Sequence, residues 1–334
     1  MPVRVVCYGL GPIGVGIARM AASRSNVAIV GAIDIDPQKA GQSLAVLLGS
    51  SAPALSADIL VSNDAAETLA SAKPDVVLHA TSSSLAAVRD QLVQIAGAGA
   101  HVISTCEELS FPWTAQPQLA ADLDAAARQH GVALMGTGIN PGYAMDALPL
   151  MLTAPCAAVR SVRVLRVVDA AQRRGPLQRK VGAGLTPEQF EAKVHAGSVR
   201  HVGLPESLHM LATGLGWQLD RSDNMIAAVL AEQPYTTEFV QVAAGQVAGV
   251  RQVARGFIGE REVLSLELRM YVGAPDPQDT VDIEGDPPVH MRITGGLHGD
   301  VATAAIAVNA IPSVMRAAPG LASMRDVPLV HFFR

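Results

Sequence analysis

The residues that most constrain how this chain can fold are Gly9, Gly11 and Gly14, in the stretch VCYGLGPIGVGIAR over positions 6–19. Apolar Val3, Val5 and Val6 precede them as a first strand, and an Ala/Ile/Met-rich helical run follows. Strand, G-x-G-x-x-G turn and helix, in that order, aim a helix N-terminus at a pyrophosphate in a parallel α/β sheet. Gly9 permits the tight turn, Gly11 lets phosphates approach the backbone, and Gly14 lets helix and strand pack closely. Pro12 and Ile13 complete the candidate cofactor turn. A bare glycine triplet is weak evidence, but the flanking strand and helix favour dinucleotide binding over a turn that merely packs.

At 334 residues and 49 % apolar content the chain exceeds what one core usually holds, so two domains are expected. A formal charge of −5 and a pI near 6.0 argue against nucleic acid or an anionic membrane as partner and favour a small-molecule enzyme. Cys7, Cys106 and Cys156 are too scattered for a disulfide framework or a ligand cluster, which suits a reducing cytoplasm. Met1 leads within two residues into strand pattern, and no uncharged apolar run reaches membrane-spanning length. The expectation is a cytoplasmic protein without a membrane partner.

Through about residue 137, short apolar runs alternate with helical segments, as in a doubly wound parallel sheet. Val27–Ile33 reads as a buried strand ending at Asp34, 20 residues after Gly14, where an acidic side chain can accept from both adenine-ribose hydroxyls. A carboxylate there repels a 2′-phosphate, and Ile35 is not the arginine that would bind one, so NAD is favoured without excluding NADP. Asp36, before Pro37, is the alternative ribose ligand or else the N-cap of a helix over Lys39–Leu48. Ile59–Val61 and Val76–His79 continue the sheet. Ala80, Thr81, Ser82 and Ser83 then form, with Ser84, a small polar turn that suits a passing cofactor and equally an ordinary cap for the helix of Leu85–Ala96. His79 fits a satisfied core histidine better than an acid–base group.

The strand His101–Thr105 ends in CEELSFPW, and Thr105 joins the candidate cofactor residues. Glu107 and Glu108 follow a strand end, so at least one of them should lie where open α/β sheets place their chemistry, and Leu109, Phe111, Pro112 and Trp113 after them are apolar enough to screen a carboxylate from water. Taken alone, such a pair also fits a solvated loop or a helix cap. After a strand at Val132–Met135, the turn GTGINPGY over Gly136–Tyr143 marks the exit from the first domain, and its Asn140 is a further candidate for cofactor contact.

Beyond it the period changes. Leu264, Leu266, Leu268 and Met270 alternate with polar residues, as do Val289, Met291 and Ile293. Helical segments near Pro187–Ala196 and Pro205–Leu215 make the second domain α+β with a mainly antiparallel sheet. Val301–Met315 reads as a helix returning to the first domain. The expected organisation is a dinucleotide-binding domain over 1–142 with 301–334 packed on it, and a substrate-binding and dimerisation domain over 143–300. No H-E-x-x-H, G-x-S-x-G or P-loop lysine occurs, so metal, hydrolase and NTPase chemistry are not expected. The basic stretch RRGPLQRK, Arg173–Lys180, reads as a solvated loop or a binder of acidic substrate.

Together, GLGPIG, IDIDP, STCEELSFPW, GTGINPGY, PLQRKVGAG and HGDVATAAIAVNAIP resemble the 2,4-diaminopentanoate dehydrogenase family and its relatives, the native amine dehydrogenases, over nearly the whole chain. The cofactor domain is similar to that of dihydrodipicolinate reductase. The resemblance implies reversible NAD(P)-dependent conversion of an amine to a carbonyl compound and ammonia by a homodimer. It places the catalytic glutamate of the E-E-L motif on Glu108, with Glu107 as neighbour. Phe111, Tyr143, Arg166, Asp169, Arg173 and Thr303 are the candidate substrate-pocket residues. The stretch Arg163–Leu185 lacks the histidine pair and the K-x-x-x-S-G-T loop of dihydrodipicolinate reductase, and no residue marks itself as holding the distal amine of a diamino acid. A simple amine is therefore the more open choice. The alternatives are 2,4-diaminopentanoate dehydrogenase proper, a cyclic-imine reductase, alcohol–carbonyl exchange, and an NAD(H)-binding redox sensor without turnover.

Overall fold

Runs of valine, isoleucine and alanine that are buried on both faces pair side by side as a parallel sheet. In the computed structural model, which describes residues 1–334 except 51, 52, 54 and 56, the elements of this first part follow in order. They are β1 (Val3–Tyr8), α1 (Pro12–Ala22), β2 (Val27–Ile33), α2 (Leu44–Leu48), β3 (Val61–Ser62), α3 (Ala65–Ala72), β4 (Val76–His79), α4 (Leu85–Gly97), β5 (His101–Ser104), α5 (Pro117–Gln129) and β6 (Ala133–Gly136). Pro12 and Pro117 open their helices, where a missing N–H costs nothing. Asp64 caps α3 by accepting the Glu67 N–H at 2.9 Å.

The helix expected over Lys39–Leu48 is cut to α2. Gly41, at φ 82°, donates its N–H to Val61 O, and Leu44 donates to Ile59 O, so residues 37–43 turn back toward β3 instead of winding. The strand expected at Ile59–Val61 is likewise shortened to Val61–Ser62, with Leu60 forming only an isolated bridge to Ser43.

A second unit, Ala144–Leu297, carries α6 (Ala147–Leu152), β7 (Ala158–Asp169), α7 (Gly175–Lys180), α8 (Pro187–His195), α9 (Leu204–Gly214), β8 (Arg221–Leu230), β9 (Tyr235–Thr236), β10 (Gln241–Val242), β11 (Val247–Ile258), β12 (Arg261–Tyr271), β13 (Gln278–Asp286) and β14 (Val289–Thr294). Six strands form a mixed sheet in the order β14-β13-β7-β12-β11-β8, antiparallel except where β7 and β12 run parallel. Leu264, Leu266 and Leu268 are buried, while Ser265, Glu267 and Arg269 between them stay partly exposed. Part of the basic stretch, read as a loop, winds into α7.

The chain then returns to the first unit, Met1–Tyr143 with His298–Arg334. The expected helix over Val301–Met315 is broken at Ala310 into α10 (Gly299–Asn309) and α11 (Ile311–Val314), with Pro312 in the first turn of the second piece. Ala304, Ala307 and Val308 of α10 join the core that holds Ile17, Ala18 and Ala21 of α1. The three-residue β15 (Gly320–Ala322) pairs parallel with β6, completing the order β15-β6-β5-β4-β1-β2-β3. Strand succession reverses beside β1, which puts the topological switch point between the C-terminal ends of β1 and β4.

Candidate active site

At that switch point Gly9 adopts φ 89°, and a Cβ on it would lie 2.5 Å from Ala80 O at the end of β4. A Cβ on Gly14 would stand 1.8 Å from Gly9 O, so both positions admit only glycine. Gly11 differs: its φ of −67° suits any residue, and a Cβ there would meet nothing within 4 Å. The N-terminus of α1 carries no side-chain cap. Open space over Gly11, together with the uncapped first turn of an 11-residue helix, fits a dinucleotide pyrophosphate.

Asp34 closes one side of this crevice. Its Oδ2 accepts the Leu10 N–H at 2.7 Å and the Lys39 ammonium at 3.0 Å, and its Oδ1 accepts the Asp36 N–H at 2.9 Å. Burial works against the charge, yet the Asp36 and Leu10 N–H groups and Lys39 outweigh it and hold the carboxyl below its ordinary range. Asp36 turns its Oδ1 to the Gln38 N–H and caps no helix, because none begins there.

The turn from Ala80 to Ser83 forms the opposite wall, with Thr81 and Ser82 exposed. His79, buried beneath it, bonds Ser104 Oγ through Nδ1 at 2.8 Å, and bonds Gln91 and Thr81 through Nε2. Burial pulls this imidazole down to about 4, the Gln91 bond offsetting it only in part, so it is neutral near pH 7. Ser104 Oγ in turn accepts the Cys106 N–H, so the network fixes the start of the carboxylate loop. Burial, above all, pushes the Cys106 thiol up to about 12, which removes it as a nucleophile. Thr105 donates its N–H to His79 O.

Glu107 and Glu108 lie on a single 3₁₀ turn, Glu107–Leu109, both half-buried. Glu108 Oε2 accepts the Leu85 N–H and the Gln116 side-chain amide, each at 2.8 Å, and the Glu108 N–H donates to Ser83 O. No hydrogen bond or ion pair to the Glu107 carboxylate occurs among the described residues. Glu108 is thus tied to the Ala80–Ser83 turn through Ser83 O, and that turn packs against the Gly9–Gly14 cradle through Ala80.

The remaining candidates lie after the Glu107–Leu109 turn, on the turn after β6, on α10 and in the second unit. Asn140 is buried in the Gly136–Tyr143 turn, and Thr303 Oγ1 of α10 accepts the Ile139 N–H of that turn at 3.3 Å. Tyr143, which ends the turn, is half-buried. Phe111 is core, its ring 4.9 Å from that of Trp113. In the second unit Arg166 is buried and committed, with Nη1 2.7 Å from Asp279 Oδ1 and Nη2 donating to Leu297 O. Asp169 Oδ1 accepts the Ala171 and Gly273 N–H groups, and Arg173 O accepts from Gln178. Sequence reasoning missed Lys39, Gln116 and the Gln91–His79–Ser104 network. Only the spacing of Lys39 to Asp34 and Asp36 could have signalled one of them.

A crevice of this form on a doubly wound sheet, followed by a mixed-sheet unit, places the chain among the two-domain Rossmann-type oxidoreductases. More narrowly, the chain belongs to the 2,4-diaminopentanoate dehydrogenase family: the model of that family's C-terminal domain matches residues 143–333. The chain is 29 % identical over 338 residues to 2,4-diaminopentanoate dehydrogenase of Acetoanaerobium sticklandii, covering 98 % of this chain and 94 % of the relative. It is 25 % identical to an amine dehydrogenase of Streptomyces virginiae, covering 98 % and 96 % of the two chains. The solved amine dehydrogenase of Mycobacterium smegmatis superposes with a TM-score of 0.87 at 28 % identity, over 100 % of this chain and 98 % of the other.

Proposed function

We propose that this chain is a nicotinamide-dinucleotide-dependent amine dehydrogenase that interconverts a small amine and a carbonyl compound plus ammonia. The observation that carries the reading is the bonding of Glu108 to Ser83 O and to the Leu85 N–H, which supports a carboxylate at the strand ends where a dinucleotide would lie. The relatives named as amine dehydrogenases support it.

When bound, the nicotinamide supplies hydride exchange. The residues of this chain do the rest: the N–H groups opening α1 hold the pyrophosphate, Asp34 accepts from the adenine ribose in a way that favours NAD, and Ile35, 78 % exposed, offers an apolar face for adenine. Glu108 moves protons. In the reductive direction its carboxylate takes a proton from ammonium, freeing ammonia; as the nitrogen adds to the carbonyl carbon, one of its protons passes to the carbonyl oxygen and gives the carbinolamine. Glu108 then delivers the proton it took from ammonium to the departing hydroxyl, which leaves as water, and as a carboxylate it balances the cationic C=N that remains. A second reading exchanges the glutamates, favoured by the Glu107 carboxylate being unengaged among the described residues while Glu108 Oε2 already accepts two donors. A homodimer, a cytoplasmic location suited to three free cysteines, and a simple amine as substrate complete the proposal.

The test follows NAD(P)H loss with a panel of aldehydes and ketones, with and without ammonium. Ammonium-dependent loss is expected. Loss independent of ammonium overturns the amine reading, and dinucleotide binding without turnover on any substrate turns it toward a redox sensor.

A further inference from the structure

The ribose end of the crevice is not a lone carboxylate. Lys39 Nζ lies 3.0 Å from Asp34 Oδ2 and 3.4 Å from Asp36 Oδ2. The turn that carries Lys39 is held at both ends: Asp36 O accepts the Lys39 and Ala40 N–H groups, and Gly41 donates to Val61 O. An ionised carboxylate offers about four lone-pair sites, and Leu10, Asp36 and Lys39 already occupy three of those on Asp34. The two-bond grip on both ribose hydroxyls expected from sequence is therefore not open to Asp34 as it stands, and one acceptor position remains. The Lys39 ammonium carries three donors, of which the two carboxylates engage two. Its side chain is 25 % exposed, so the head group stands at the rim with a donor to give.

Resting on the dinucleotide reading above, we propose that Lys39 sets selectivity at the 2′ position of the adenine ribose, donating to a 2′-phosphate so that the site accepts NADP(H) as well as NAD(H). Asp34 and Asp36 alone would present two negative charges to that phosphate. Lys39 cancels one of them and supplies the only ammonium bonded to either carboxylate among the described residues. An NAD molecule, with its 2′-hydroxyl, needs only the acceptor that Asp34 retains.

The test measures dissociation constants of NADH and NADPH by nicotinamide fluorescence on the whole protein, for the wild type, Lys39→Met and Lys39→Arg. Competition by adenosine 2′,5′-bisphosphate and by ADP on the wild type isolates the 2′-phosphate. The wild type is expected to bind both dinucleotides, and both the bisphosphate and ADP should compete. Lys39→Met should weaken NADPH on the order of 10- to 100-fold, as loss of one charge-assisted hydrogen bond implies, with NADH nearly unchanged. Lys39→Arg, which keeps the charge, should retain NADPH binding. Equal weakening of both dinucleotides in Lys39→Met, unchanged NADPH binding, or a wild type that binds NADH alone overturns the inference. A wild type that binds neither dinucleotide overturns the cofactor reading itself, and the inference with it.

Discussion

The Glu108 carboxylate accepts the backbone N–H of Leu85 at 2.8 Å, so the loop at the end of β5 caps the first turn of α4. The side-chain amide of Gln116 meets the same oxygen, which restrains the glutamate from a second direction. One side chain thereby serves structure and, in the proposed reaction, chemistry.

That double role separates two substitutions. Glu108→Gln keeps an oxygen for the Leu85 N–H but removes proton transfer, so kcat for ammonium-dependent reduction should fall about 10²- to 10⁴-fold with NADH binding nearly unchanged. Glu108→Ala should lose about 1 kcal/mol in urea unfolding as well, through the lost cap. Retained turnover in Glu108→Gln, with loss in Glu107→Gln, assigns proton transfer to Glu107.

The glycines of the cofactor turn should divide in the same manner. In Gly14→Ala the new Cβ falls 1.8 Å from Gly9 O, a backbone atom, and overpacking of this kind costs about 1–3 kcal/mol or more. Gly11→Ala meets open space at an ordinary φ, so its stability should stay within about 0.5 kcal/mol of wild type. NADH binding should nevertheless weaken, because the methyl group stands where the pyrophosphate approaches. Fluorescence titration beside chemical unfolding checks both; unimpaired NADH binding by Gly11→Ala would place the pyrophosphate elsewhere.

His79 should leave a mark on stability against pH. Its folded value of about 4 lies below the value near 6.5 of an unfolded chain, so between the two the unfolded state binds more protons. Its contribution is complete above about pH 6.5 and is lost as pH falls toward 4, amounting to about 3 kcal/mol across that window. His79→Gln should flatten this limb of the unfolding free energy. An unchanged slope between pH 4 and 6.5 would show that other groups produce it.

Arg166 and Asp279 face each other at 2.7 Å with side chains only 2 % and 3 % exposed, and Asp279 Oδ2 also accepts the Leu297 N–H. Arg166→Met strands a buried carboxylate and should cost about 3–5 kcal/mol in chemical denaturation. Adding Asp279→Leu should recover part of that loss. A single variant as stable as wild type would show that the guanidinium is not what holds Asp279.

Much of the parallel sheet is legible because both its faces are buried. β2 and β4 occupy Val27–Ile33 and Val76–His79, where the apolar runs begin and end. In the second unit the alternation of Leu264, Leu266 and Leu268 identifies β12 for the complementary reason, one face buried and one partly exposed. β7 is harder to read: Arg160, Arg163 and Arg166 recur every third residue and obscure a period of two. The three-residue β15 carries too little pattern to register at all.

The sequence by itself determined the glycine turn, the acidic end of β2 and the carboxylate pair after β5, because backbone conformation and strand periodicity are local properties. Only the tertiary structure decided what each of those groups bonds to. Asp34 meets Leu10, Glu108 meets Leu85, and Arg166 meets Asp279 across separations of 24, 23 and 113 residues. Such pairings depend on strand order and register, which a long-range fold sets and no short stretch of sequence contains.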